Sequence, residues 1–194
     1  IMKPTSLIRD PVSDVNRLLG LGPSELYVVS VTKFVVLYLL TGGGYIVYWS
    51  YRNWATYKER VGADIFPLVR AVLWPFFILE LFDKIQNGLD LAGRPCRWHP
   101  EPRALLIMLM VMISTLFAMF FDDPQDAGVV FIANAVLITV SVFLFVGAQR
   151  AINLLANDRL GGSNCNFNVG NVFWALAGAV SVALLALYVL VYTG

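Results

Sequence analysis

The sequence predicts an all-α, polytopic membrane protein, with three full transmembrane helices preceded by two membrane-embedded or interfacial segments, three to five spans in all. Three observations predict it. Of 194 residues, 58% are hydrophobic and 14% charged, against about 25% charged in an ordinary soluble domain. That deficit cannot cover a water-soluble body of this size, so a soluble globular enzyme is excluded. Beyond Arg103 only Asp122, Asp123, Asp126, Arg150, Asp158 and Arg159 are charged. Three long stretches in that second half carry no charge at all. The net charge of +1 offers nothing to nucleic acid.

Residues 1–27 form a polar N-terminal segment. Val12, Val15, Leu18 and Leu19 give it a short apolar helical face ending at Gly20, and six charges with no long apolar core argue against a cleavable signal peptide. Residues 28–103 are mixed. The stretch 28–51 is apolar apart from Lys33 but is broken by Gly42, Gly43 and Gly44, each of which costs about 1 kcal/mol in a helix interior. The stretch 65–85 carries Pro67, Arg70, Pro75, Glu80, Asp83 and Lys84 and reads as an interfacial amphipathic helix. Residues 104–194 form a three-helix transmembrane unit, with spans at 104–121, 128–149 and 171–193, each long enough for about 30 Å of hydrocarbon.

Charge bias orients these segments. The acidic turn 122–126 has no Lys or Arg and faces outside; Arg103, Arg150 and Arg159 face inside, and the C-terminus is outside. If both early segments cross, or only the first, ten basic residues lie inside and four outside; if neither crosses, all fourteen lie inside. Charge favours a glycine-broken hairpin dipping in and returning, while a single kinked span accounts for the glycines nearly as well.

The densest pattern is Lys33-Phe34, then Thr41-Gly42-Gly43-Gly44-Tyr45, then Tyr48-Trp49-Ser50-Tyr51-Arg52-Asn53-Trp54. Aromatic rings settle at the headgroup boundary, and Arg52, Lys58 and Arg60 can meet anionic phosphates there. An ordinary aromatic belt gives the same pattern. Arg70 with the stretch 67–71, and Gln149, Arg150 and Asn153 at the end of the second strong span, complete the candidate set for interface or lipid contact: Lys33, Tyr45, Tyr48, Trp49, Tyr51, Arg52, Trp54, Arg70, Gln149, Arg150 and Asn153. Gln149, Arg150 and Asn153 share a face by spacings of three and four. The signature Lys-Phe, Thr-x-Gly-x-Tyr, Tyr-Trp-x-Tyr-x-x-Trp resembles that of small bacterial polytopic inner-membrane proteins of unknown function, as do the stretches 67–71 and 149–153, which together spread over residues 27–174. The resemblance implies location and architecture and carries no activity.

Chemistry is sparse. Cys96 and His99, with Cys165, are zinc-type donors, but one Cys-x-x-His pair is weak, so no metal or cofactor is expected. His99 is the only histidine, which excludes a Ser-His-Asp site elsewhere. The Asn- and Gly-rich loop 157–171 could cradle an anion or simply turn the chain and cap the next helix. The strong spans hold only Ser114, Thr115, Asn134, Thr139, Ser141 and Ser181 as polar groups, enough for interhelical hydrogen bonds and not for a charge pathway. Ala175, Ala179 and Ala183 make a small-residue stripe, and Met108, Met110, Met112 and Met119 a deformable surface. The expected role is therefore a non-catalytic accessory or scaffolding subunit of a larger complex in the bacterial inner membrane, in contact with membrane lipids. The alternative is a small channel or transporter built on the glycine-broken segment.

Overall fold

The computed structural model describes residues 26–121 and 123–193. The helix expected around Val12 to Leu19, the basic Lys3, Arg9 and Arg17, and Asp122 lie outside the described residues. Described in chain order, the helices are α1 (Val31–Leu40), α2 (Tyr45–Val61), α3 (Pro67–Val72), α4 (Trp74–Leu91), α5 (Pro100–Phe120), α6 (Ala127–Leu155) and α7 (Val169–Thr193), with 3-10 turns at Pro124–Asp126 and Gly162–Asn164; the described residues contain no strand.

Three helices have the length and apolar composition of spans: Pro100–Phe120, Pro124–Leu155 with the leading 3-10 turn, and Val169–Val191. At 1.5 Å per residue, 21, 29 and 25 residues in α5, α6 and α7 reach about 32, 44 and 38 Å, all beyond the roughly 30 Å of hydrocarbon. The first begins at Pro100, earlier than its uncharged stretch, because proline is pre-organised for the first helical turn. The second runs past Gln149 to Leu155, since nothing local stops a helix merely because it leaves the apolar layer.

The glycine-broken segment returns. Ser30 opens α1, its Oγ accepting from the Lys33 N–H at 3.3 Å. Gly42 and Gly43 sit at φ +57 and +86, left-handed backbone that only glycine adopts freely. Gly43 N–H closes the turn on Tyr38 O at 2.8 Å. A side chain at Gly43 would be strained there. Past the turn, α2 runs back along α1, with the Phe34 ring 5.7 Å from Tyr45 and 5.9 Å from Trp49. Midway along the spans the tip is held: Tyr38 Oη shares a hydrogen bond with Ser141 Oγ at 2.6 Å, and a Cβ added at Gly178 of α7 would fall 2.6 Å from Thr41 Cα. The close backbone approach on α7 is thus at Gly178, between Ala175 and Ala179 of the expected stripe.

The second early segment is not among the helices long and apolar enough to span. Pro67 and Pro75 each sit in the first turn of a helix, α3 and α4, which explains why two prolines interrupt one apolar run. On α4, Ile78, Leu81, Phe82, Ile85 and Leu89 are buried, one stripe at helical spacing. Phe66, just before α3, and Phe76, in the first turn of α4, are each 74% exposed, as an interfacial helix is on the side it dips into lipid. Arg94 Nη1 caps the end of α6 by donating to Leu154 O and Leu155 O at 2.9 and 2.8 Å. Arg103 donates to Trp98 O and, across the groove, to Phe143 O and Leu144 O at 3.2 and 3.3 Å. Gly147 makes room for it, since a Cβ there would lie 2.7 Å from Nη1. The packed core therefore lies at one end, where α1, α2, α4 and the C-terminal half of α6 meet.

Candidate functional site

The most organised group of polar side chains surrounds residues 26–30, which are not helical: Leu26 is a bend and 27–30 have no regular structure. Non-helical backbone near membrane depth is tolerated only where protein satisfies it, and here amides from three other parts of the chain do so. Asn53 Oδ1 accepts from Tyr27 N–H at 3.1 Å. Gln149 Nε2 donates to Tyr27 O at 3.4 Å and to Asn153 Oδ1 at 2.7 Å. Asn153 Nδ2 donates to Val29 O at 3.0 Å, and Asn164 Nδ2 to Val28 O and Tyr27 Oη, both at 2.9 Å. Ser30 N–H reaches Asn164 O at 3.3 Å. Trp49 Nε1 closes the set on Gln149 Oε1 at 2.6 Å.

Lys33 joins this clamp from the first turn of α1. It is 2% exposed, and its Nζ donates to Asn164 Oδ1 and Asn166 O, both at 2.7 Å, with the Phe167 ring 6.0 Å away. Its partners are neutral, and burial pulls its pKa below the ordinary lysine value. Gly161 lets the loop come this close: a Cβ there would meet Val29 O at 2.5 Å and Ser30 N at 2.6 Å. Asp158 shapes the same loop, accepting from Gly162 N–H at 2.8 Å and Ser163 N–H at 2.9 Å. These backbone donors hold its carboxyl below the usual carboxylate range.

Of the residues singled out from sequence, Lys33, Tyr45, Trp49, Trp54, Gln149 and Asn153 are buried within the chain, facing its own elements rather than a lipid belt. The reason is the hairpin: folded back on itself, its aromatic arm packs against α1 and α6. Tyr48, Tyr51, Arg52 and Arg150 are exposed, with Arg52 5.0 Å from the Tyr27 ring. Arg70 pairs with Glu80 at 2.6 Å and stacks on Trp54 and Phe77 at 4.4 and 4.8 Å; Asp83 does not join them. Arg150 also leaves the face it was expected to share. At 100° per residue Gln149 and Asn153 lie 40° apart, whereas Arg150 is turned 100° from Gln149. Asn134 finds partners at depth, accepting from Ser114 Oγ at 2.5 Å and donating to Val130 O at 2.9 Å.

Two clefts flank the hairpin tip. One, of about 710 Å³, runs between the hairpin and the first half of α7, bordered by Tyr48, Tyr51, Asn171 and Trp174. The other, of about 620 Å³, lies beyond the tip between the spans, bordered by Ala118, Ala127, Asn134, Ala135 and Ser181. Among the described residues no three His, Cys, Asp or Glu side chains converge as metal ligands; Cys96 is half-buried and Cys165 exposed. Nor does the clamp pair a nucleophile with a base. Asn53, Asn164, Gly161 and Tyr27 belong to this site and were absent from the candidate set. The Asn-rich loop was the visible signal for two of them; Asn53 gave none beyond standing four residues after Trp49. No protein family, curated protein or solved structure matches the chain.

Proposed function

We propose that the chain is a non-catalytic accessory or scaffolding subunit that packs against a larger assembly in a bacterial inner membrane. One observation carries this reading: half of the bundle has no core. Eight residues of α6 from Ser141 to Asn153 are buried. Among the described residues, none from 111 to 140 and none after Ala175 is. That half holds the 620 Å³ cleft, where Ala118 of α5, Ala127 and Ala135 of α6 and Ser181 of α7 leave room between larger side chains such as Phe131, Leu185 and Tyr188. Helices in lipid associate through close packing, which small residues permit, rather than through apolar burial. A partner's transmembrane helix would gain that packing here. The interior supports the same reading, because its polar groups bind the chain's own backbone.

The test is isolation from native membranes in mild detergent, alongside Ala135→Phe. A stoichiometric larger complex is expected with the native chain, and its loss with Ala135→Phe while the variant unfolds at the native temperature. A lone monomer or homo-oligomer from native membranes would overturn the reading. A second reading, a small channel or transporter, draws on Thr41 and Ser181 bordering both clefts, so that a shift of the tip would join them. Solute flux in liposomes holding the pure protein would favour it.

A further inference from the structure

The cleft between the hairpin and α7 is ordered along its length in a way the other cleft is not. At one end stand Tyr48, Tyr51, Trp174 and the first turn of α7; at the other, Thr41, Gly178 and Ser181; between them the walls are apolar, with Leu37, Val47 and Ala177. From Gly170 to Ser181 is eleven steps along α7, about 16 Å at 1.5 Å per step. One leaflet is half of the roughly 30 Å hydrocarbon layer, so the cleft is one leaflet deep. Its wet end carries the aromatic and amide groups that favour the headgroup boundary.

That end also has hydrogen-bond donors and positive potential without an acid to match. Asn171 is 8% exposed and lines the cleft. Its Oδ1 accepts from Asn168 N–H at 3.2 Å, but its amide nitrogen makes no hydrogen bond within the described residues. Asn168 Oδ1 caps the Asn171 N–H at 2.8 Å, while the N–H of Gly170, a residue that also borders the cleft, has no such cap. The positive end of a 25-residue helix lies here. Lys33 is buried nearby, bonded to Asn166 O, and no carboxylate of the described residues pairs with it. No Asp or Glu lines the cleft.

We propose that this cleft binds a membrane glycerophospholipid, with the phosphate on the Gly170 N–H and Asn171 amide at the start of α7 and one acyl chain running down to Thr41 and Ser181. The inference does not rest on the partner reading, because the isolated chain is expected to bind the lipid. Arg52, at the surface on the same arm, adds attraction for anionic headgroups.

The experiment is native mass spectrometry of the delipidated full chain in detergent, titrated with phosphatidylglycerol, with a diacylglycerol of the same chains, and with glycerol phosphate. Two variants accompany it. Asn171→Asp keeps the oxygen that caps Asn168 and replaces the donor nitrogen by a charge that repels phosphate. Ala177→Phe fills the middle of the cleft and leaves the headgroup end intact. One phosphatidylglycerol per chain is expected, bound at least tenfold more tightly than diacylglycerol. Asn171→Asp should weaken phosphatidylglycerol at least tenfold and diacylglycerol little; Ala177→Phe should weaken both; each variant should unfold at the native temperature. Undiminished phosphatidylglycerol binding by either folded variant would overturn the proposal. So would equal binding of the two lipids, or glycerol phosphate binding as tightly as phosphatidylglycerol.

Discussion

Replacing Asn153 by alanine tests whether the amide clamp holds the hairpin. Asn153 is fully buried and makes two bonds, to Val29 O at 3.0 Å and from Gln149 Nε2 at 2.7 Å. Alanine removes both. Val29 lies in non-helical backbone, so no helix neighbour can replace the lost donor, and Gln149 Nε2 keeps only its longer bond to Tyr27 O at 3.4 Å. Each orphaned buried group costs about 1–3 kcal/mol, which puts the loss at about 2–6 kcal/mol. Asn134→Ala is the matched control. Its partner Ser114 can turn back to a carbonyl of its own helix, and interhelical polar pairs in membranes average about 0.6 kcal/mol with a maximum near 1.7. Unfolding of both variants in mixed detergent measures the difference, and hydrogen exchange over residues 26–34 shows where it acts. Asn153→Ala should be the more damaging by about 2 kcal/mol and should expose the Val29 region. If it loses no more stability than Asn134→Ala, the clamp does not hold the hairpin and the reasoning fails.

Two further predictions concern the loop that closes the clamp. Gly161→Ala places a methyl 2.5 Å from Val29 O at φ +66, whereas Gly62→Ala meets only open space at φ +71. Both incur the left-handed penalty of about 1–2 kcal/mol, so thermal unfolding should show Gly161→Ala worse by about 2 kcal/mol as the loop lifts and orphans buried groups; equal melting temperatures would contradict the close approach. The Asp158 carboxyl is held below its ordinary value by the Gly162 and Ser163 amides. Its contribution to stability is therefore complete above the ordinary carboxylate pKa and is lost as pH falls through the lowered folded value. The acid limb of the stability profile should flatten in Asp158→Asn; an unchanged limb would show that those backbone bonds do not act as drawn.

Much of this architecture was legible in the residues alone. An uncharged stretch long enough for the bilayer is a spanning helix whatever surrounds it, because backbone groups in lipid have to bond within their own segment. Pro67, Pro75 and the glycine run marked breaks for equally local reasons. The direction of the chain after Gly44 was left open, since three glycines permit both a kink and a reversal. Tertiary contacts decided it: Phe34 packs on Tyr45 and Trp49, and the tip seats on Gly178. The site was less legible. Lys33 meets Asn164 across 131 positions of sequence and Trp49 meets Gln149 across 100, and no periodicity links residues so far apart. Aromatic and basic residues after a glycine turn carry the pattern of a lipid belt, yet Tyr45, Trp49 and Trp54 on that arm are buried within the chain, as are Lys33, Gln149 and Asn153 on other helices.

What the sequence determined by itself was the membrane, the three spans and the break at the glycine run, because hydropathy and glycine's freedom of backbone act within a few residues. What only the tertiary structure decided was that the first segment returns, which amides serve the non-helical backbone of residues 26–30, and where two clefts remain open. Each of these depends on which elements come together in space, and hydrogen bonds between distant residues are chosen only once the helices have packed.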